Sequence, residues 1–299
     1  MRFFFPDTPD IPLPDGHRFP AGKYRLVRDG ILRGSILGPT VLVPSPDAKD
    51  AELLLAHDAA YIEAVATGTL APDIQRRIGL PWSATLANRA RVTVGGSLAA
   101  ARAALEQGVS GQLAGGTHHA HRDFGSGFCV FNDLAVTALA LLEDGEVARV
   151  AILDADVHQG DGNAAILTAD PRTFVASIHG EKNFPFRKVA SDLDIALPDG
   201  TDDKRYLEAM DCALAAIGRF MPDIVLYLAG VDPLASDSLG RLALTHAGLA
   251  ARDERVLRAC RNADVPVAIV LGGGYSRPIG DSVEAYINTF RVVRQVFEL

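Results

Sequence analysis

From about residue 148 the chain alternates between short unbroken apolar runs and longer stretches in which apolar residues recur every three or four positions. Val150, Ala151, Ile152 and Leu153 follow one another without a polar break, the pattern of a strand buried on both faces. Similar runs predict strands over 173–178, 193–197, 223–228 and 265–271. Between and after them, helical periodicity covers 203–220, 247–261 and about 282–297. The first half is less regular. It predicts a strand over 2–5, a Pro/Asp/Gly-rich loop to about Phe19, and a helix over 23–33 from the spacing of Tyr24, Val27 and Ile31. A strand over 40–43 is ended by Pro44 and Pro46, and one or two helices within 50–66 are stopped by Gly68. Residues 70–81 read as irregular, 83–107 as an alanine-rich helix ending at Gly108, 111–114 as a short apolar strand and 134–143 as a helix.

Strands that alternate with helices and carry no polar face belong to a parallel sheet covered on both sides. The pattern therefore predicts an α/β fold with three α/β/α layers and a mostly parallel central sheet of about eight strands. No repeat, low-complexity tract or linker interrupts the 299 residues, so one domain over 1–299 is expected. Composition narrows the function. A net charge of −8 argues against a general nucleic-acid binder. Three scattered cysteines without a C-x-x-C pair exclude a disulfide frame or a thiolate zinc site and fit a reduced, cytoplasmic setting. The apolar start, MRFFF, is too short for a signal peptide or a membrane span.

The ionisable residues then fall in one kind of place. His118 and His119 follow the run at 111–114, Asp154, Asp156 and His158 follow 148–153, Asp232 follows 223–228, and Gly272–Tyr275 follow 265–271. Ligands of open α/β sheets bind beyond the carboxyl ends of the strands. If the chain stays extended past Leu153, Asp154, Asp156 and His158 share one face, a row that needs a compensating cation. Two carboxylates (Asp156, Asp232) and one imidazole (His158) suit a catalytic Zn²⁺ with an open position, and Fe²⁺ or Co²⁺ would accept the same donors. Capping and turn chemistry accounts for one such aspartate but poorly for the set. The sequence AGVDPLASD offers no adjacent second-metal carboxylate, which favours a single ion. His118 and His119 have the pKa for proton transfer, and Asp154 and Asp161 are the remaining acids able to orient them. Tyr275, after three glycines, is either an aromatic packed on a turn or a phenol placed to donate to an oxyanion. Gly127-Phe128 and Phe184-Pro185-Phe186 are either core or the lining of an apolar channel.

Four motifs, GGTHHAHRDFGSGFCVFND (115–133), DADVHQGDG (154–162), AGVDPLASDSLG (229–240) and LGGGY (271–275), together resemble those of the zinc-dependent histone deacetylase family, of the arginase/deacetylase fold. The details are most similar to its class IV, histone-deacetylase-11-like branch, including bacterial members. The resemblance implies zinc on Asp156, His158 and Asp232, and a structural K⁺ near Asp154, Asp156, His158 and Ser177. It implies His118 paired with Asp154, His119 paired with Asp161 and acting as the main general base and acid, and Tyr275 polarising the substrate carbonyl. Phe128 and Phe184 would wall a substrate tunnel, with Gly127 and Gly273 beside them. The activity implied is hydrolysis of acyl groups, acetyl or longer fatty acyl, from lysine-type amines. Alternatives are a small-molecule deacetylase such as an acetylpolyamine amidohydrolase, or an inactive relative that binds acyl ligands. Gln159 stands where many members carry a second histidine, and no acidic rim residue that would grip a peptide backbone is evident.

Overall fold

A computed structural model describes residues 1–38 and 40–299. Its centre is a six-stranded parallel sheet in the order β3-β8-β7-β4-β5-β6: β3 (Val109–Gly111), β4 (Val150–Asp154), β5 (Thr173–Gly180), β6 (Leu193–Leu197), β7 (Ile224–Leu228) and β8 (Val267–Val270). The other two strands, β1 (Arg2–Phe5) and β2 (Val41–Pro44), pair in parallel as a separate small sheet. The eight strands expected are thus divided six and two.

Alternation along the central strands builds two cores. On β4, Ala151 and Leu153 face one core while Val150 and Ile152 face the other, and β7 and β8 divide their side chains in the same way. The first core is covered by α1 (Lys23–Arg33), α8 (Asp203–Phe220), α9 (His246–Asn262) and α10 (Gly280–Phe297). The second is covered by α2 (Asp50–Ala56), α3 (Ala59–Thr67), α5 (Ala84–Gln107), α6 (Asp133–Glu143) and α7 (Asp161–Leu167). Both faces of β4 and β7 are buried, which is why both strands are apolar apart from Asp154 at the carboxyl end of β4 and the Tyr227 hydroxyl, which donates to Asp253.

Three local outcomes differ from the sequence pattern. Instead of an irregular stretch over 70–81, Pro72–Ile78 forms helix α4, with proline in its first turn, Asp73 beside it, and Gly79 closing the end at φ +72°. The strand expected over 111–114 lies earlier, at Val109–Gly111, in register with Val267–Ile269 of β8, and single backbone bonds continue beyond it: the Gln112 N–H donates to the Ile269 carbonyl at 2.8 Å and the Leu271 N–H to the Ala114 carbonyl at 2.9 Å. Helix α7, only seven residues long, was too short to show periodicity. No described helix is long and apolar enough to cross a membrane.

Candidate active site

Because all six central strands run the same way, their carboxyl ends lie along one edge, and the polar segments leave from there. After Asp154 the chain bends at once. The Asp156 N–H donates to Asp154 Oδ1 at 3.2 Å, and the His158 N–H donates to Asp156 Oδ1 at 2.9 Å, each aspartate capturing the backbone two residues on. The extended face expected for Asp154, Asp156 and His158 is therefore not formed. Asp154 turns to His118, while Asp156 and His158 meet Asp232, which arrives from the neighbouring strand β7.

One candidate ligand atom from each of Asp156, His158 and Asp232 lies within 4.8 Å of the others. His158 Nδ1 is 2.9 Å from Asp156 Oδ1 and 3.0 Å from Asp232 Oδ2. The remaining oxygens are used by the backbone: Gly273 N–H donates to Asp156 Oδ2 at 2.7 Å and Val157 N–H to Asp232 Oδ1 at 2.8 Å. Gly273 is required here, since a Cβ would sit 1.9 Å from Asp232 Oδ2. Two carboxylates buried this deeply strain against each other. Burial, then the Asp156 charge, raises Asp232 to about 7, while His118 and His158 overcome burial and hold Asp156 well below the usual carboxylate range. A buried set of two oxygens and one nitrogen, short of positive charge, fits a divalent cation.

The tandem histidines are held from below. Gly162 and Asn163, at the start of α7, donate their N–H groups to the His118 carbonyl at 2.9 and 3.2 Å. Asp133 receives the N–H groups of Gly116 and Thr117 together with the hydroxyls of Thr117 and Ser97. His118 Nδ1 is 2.7 Å from Asp154 Oδ2, and His119 Nδ1 is 2.6 Å from Asp161 Oδ1. A carboxylate accepts, so each Nδ1 carries the proton and each Nε2 is turned away from its acid. The two rings lie close, with centroids 4.1 Å apart and planes tilted by 47°, yet they titrate in opposite directions. Burial lowers His118, but Asp154 and Asp156 outweigh it and raise the ring to about 9. Burial, then the charge on His118, drives His119 down to about 4.

Tyr275 completes the constellation. Its ring centroid is 6.5 Å from that of His158 and 6.0 Å from that of Phe128. Burial pushes the phenol pKa well up, so the hydroxyl keeps its proton at neutral pH. Phe184 stands edge-on to His119 at 4.9 Å. Gly127 and Phe128 both adopt positive φ, +52° and +68°, and a Cβ on Gly127 would lie 2.6 Å from His119 Cδ2. These residues line a cavity of about 730 Å³ that opens to solvent and reaches inward to Tyr24, Arg89 and Thr93.

Several contributors escape sequence reasoning. Lys23 is buried and donates from Nζ to the Gly272 carbonyl at 3.1 Å, among the rings of Tyr24, Tyr275 and Tyr286. Arg89 is buried against the Tyr24 ring at the inner end of the cavity. Asp237 accepts the Tyr275 N–H at 2.6 Å. For Lys23 a signal existed: it is four residues before Val27 and eight before Ile31, on the apolar face of its helix.

The histone deacetylase domain matches residues 17–290. An uncharacterised protein of Picosynechococcus is 44% identical over 96% of both chains. Histone deacetylase 2 of Arabidopsis thaliana is 30% identical, over 90% of this chain and 73% of its own length. The acetoin utilization protein AcuC of Staphylococcus aureus is 31% identical, over 77% of this chain and 65% of its own. The crystal structure of the HDA15 HD domain superposes with a TM-score of 0.78 over 98% of this chain and 95% of that one, at 22% identity, and so shares the fold. The chain belongs to the histone deacetylase family.

Proposed function

We propose that this histone deacetylase family member hydrolyses the amide of acylated lysine-type amines, with one divalent ion, Zn²⁺ in the first instance, held by Asp156, His158 and Asp232. A divalent ion at such a site supplies Lewis acidity, polarising an amide carbonyl and making a water acidic enough to lose a proton near neutral pH. His119, neutral because burial and His118 keep its pKa near 4, takes that proton at Nε2 while Asp161 holds Nδ1–H and fixes the ring. His118, its Nδ1–H held by Asp154 at 2.7 Å, lies beside His119 and tunes the site electrostatically. Tyr275 donates its hydroxyl in a hydrogen bond to the oxyanion forming on the carbonyl oxygen, an interaction typically worth ~10²–10³ in rate. His119 then delivers its proton to the leaving amine, which departs as a lysine-type amine beside a carboxylate. Phe128 and Phe184 flank the straight acyl-amine chain on its way in.

One observation carries this reading: Asp156 and His158 of the three-donor cluster, two oriented imidazoles titrating in opposite directions and a protonated phenol line a single cavity, with Asp232 directly behind the two donors. Opposed pKa shifts on paired groups are how one site holds an acid and a base together. The test is a panel of acetyl-, octanoyl- and myristoyl-lysine peptides beside acetylpolyamines, with zinc-loaded and chelator-treated protein. Release of free lysine amine that disappears with chelation and returns with zinc is expected. Absence of turnover on every lysine peptide with metal bound overturns the reading.

A further inference from the structure

The cavity mouth has a charge opposite to that of the protein. Among the residues that line the cavity, those exposed to solvent are Arg18, Arg76, Arg77, Lys182 and Arg241, with Gly79, Phe186 and Ser238 between them. Five of these eight are cations and, among the described residues, none is an acid, although acids outnumber lysine and arginine 37 to 29 in the chain as a whole. Lys182 and Arg241 share one counter-charge, Asp199, at 3.7 and 3.4 Å. Among the described residues no carboxylate lies within 4 Å of Arg18, Arg76 or Arg77, so these three guanidinium groups make no direct ion pair, although Asp73 stands one turn before Arg76 and Arg77 on α4.

These cations are fixed to the tunnel wall. Arg76 and Arg77 sit in the last turn of α4, whose Arg77 and Ile78 carbonyls accept the N–H groups of Gly127 and Phe128 at 3.0 and 2.8 Å. The Arg77 guanidinium lies 4.9 Å from the Phe124 ring centroid, leaving its N–H donors free for an anion. Arg18 enters from the loop before α1, Lys182 from the loop carrying Phe184 and Arg241 from the segment between β7 and α9, so the charges reach the opening from four separate segments.

We infer that the enzyme selects acyl-lysine embedded in an acidic peptide segment, with carboxylates flanking the modified lysine engaging Arg18, Arg76 and Arg77. The inference rests on the acyl-lysine reading above and adds the context of the residue. A single-sign rim of this kind concentrates ligands of opposite charge and raises association rates by roughly 10–10³ at low salt. It repels ligands of its own sign, so polybasic tails and polyamines are disfavoured by the same groups.

The experiment uses three peptides of equal length bearing one acyl-lysine, flanked by aspartate and glutamate, by uncharged residues, or by lysine and arginine. Both kcat/KM and calorimetric affinity are measured with metal-loaded protein. The acidic peptide should exceed the basic one by about tenfold or more in kcat/KM at low salt, and the ratio should shrink toward unity in about 0.5 M salt. The Arg76→Glu/Arg77→Glu variant should invert the ratio. Arg18→Glu, on a different segment, should move it the same way, which separates charge from a local defect in α4. Turnover of all three peptides at equal kcat/KM overturns the inference and leaves the deacylase reading standing. If no peptide is turned over, that reading fails, and the affinities still decide the rim: equal binding of acidic and basic peptides overturns it.

Discussion

The backbone N–H of Tyr275 donates to Asp237 Oδ2 at 2.6 Å, five residues beyond Asp232. Ser238 closes the other side, donating its hydroxyl to the Tyr275 carbonyl at 2.7 Å. The segment that supplies a candidate ligand thus also grips the residue that presents the phenol, so the two cannot drift apart independently.

Tyr275→Phe removes only the hydroxyl. Metal content should be unchanged, and kcat should fall by ~10²–10³ with KM little altered. Asp237→Ala keeps the phenol but frees its backbone, and should give a smaller loss of kcat. Steady-state kinetics beside elemental analysis decides both, and full turnover by Tyr275→Phe removes the phenol from the chemistry.

Asp156→Asn and Asp232→Asn each delete one charged donor from a buried site. Bound zinc should fall to background by elemental analysis. In the parent protein, added zinc should raise the melting temperature and chelator should lower it, because an ion that binds the folded state stabilises it; neither variant should respond.

Gly273→Ala tests the close approach without changing a ligand. Its Cβ would fall 1.9 Å from Asp232 Oδ2 and 2.7 Å from Asp156 Oδ2, so both carboxylates must shift. Metal affinity should drop by at least about tenfold, the scale seen when groups supporting metal ligands are altered, while circular dichroism stays native. Unaltered affinity would show that the carboxylates have room to move.

His57 makes the fold sensitive to acid. Burial pushes its pKa down to about 4, from 6.5. Nδ1 lies 2.9 Å from the His121 carbonyl and so carries the proton, while Nε2 accepts the Asn132 N–H at 2.9 Å. A second proton would set two donors against each other. Since the unfolded chain binds that proton more readily, the contribution is full above pH 6.5 and is lost as pH falls through 4, in total on the order of 3 kcal/mol. Urea midpoints measured between pH 7 and pH 4 should fall less steeply in His57→Phe than in the parent chain, although that variant starts less stable.

Most of the architecture was legible because the inner strands of the central sheet are covered on both faces and are written largely in apolar residues. β4, β7 and β8 announce themselves in this way, and the helices between them show their period. The short helices α4 and α7 were not legible by period, although α4 carried proline at its start and glycine at its end. The shared face imagined for Asp154, Asp156 and His158 failed because carboxylate-to-backbone bonds at 156 and 158 break the extended geometry on which that reasoning depends. The role of Asp133 was not legible: Asn132 caps α6 by accepting the Ala135 N–H, which frees the Asp133 carboxylate for the loop before His118. The arginine rim lay beyond reach, since Arg18, Arg76, Lys182 and Arg241 are brought together only by tertiary folding.

The pairing of β4 with β7 joins stretches more than seventy residues apart, and Asp156 and Asp232 hang from the ends of those two strands. Until that long-range rung forms, no pocket able to grip an ion exists in either half. An ion at this candidate site would therefore report that the middle of the sheet has zipped, and neither part of a chain cut between the two strands holds the full set of acids.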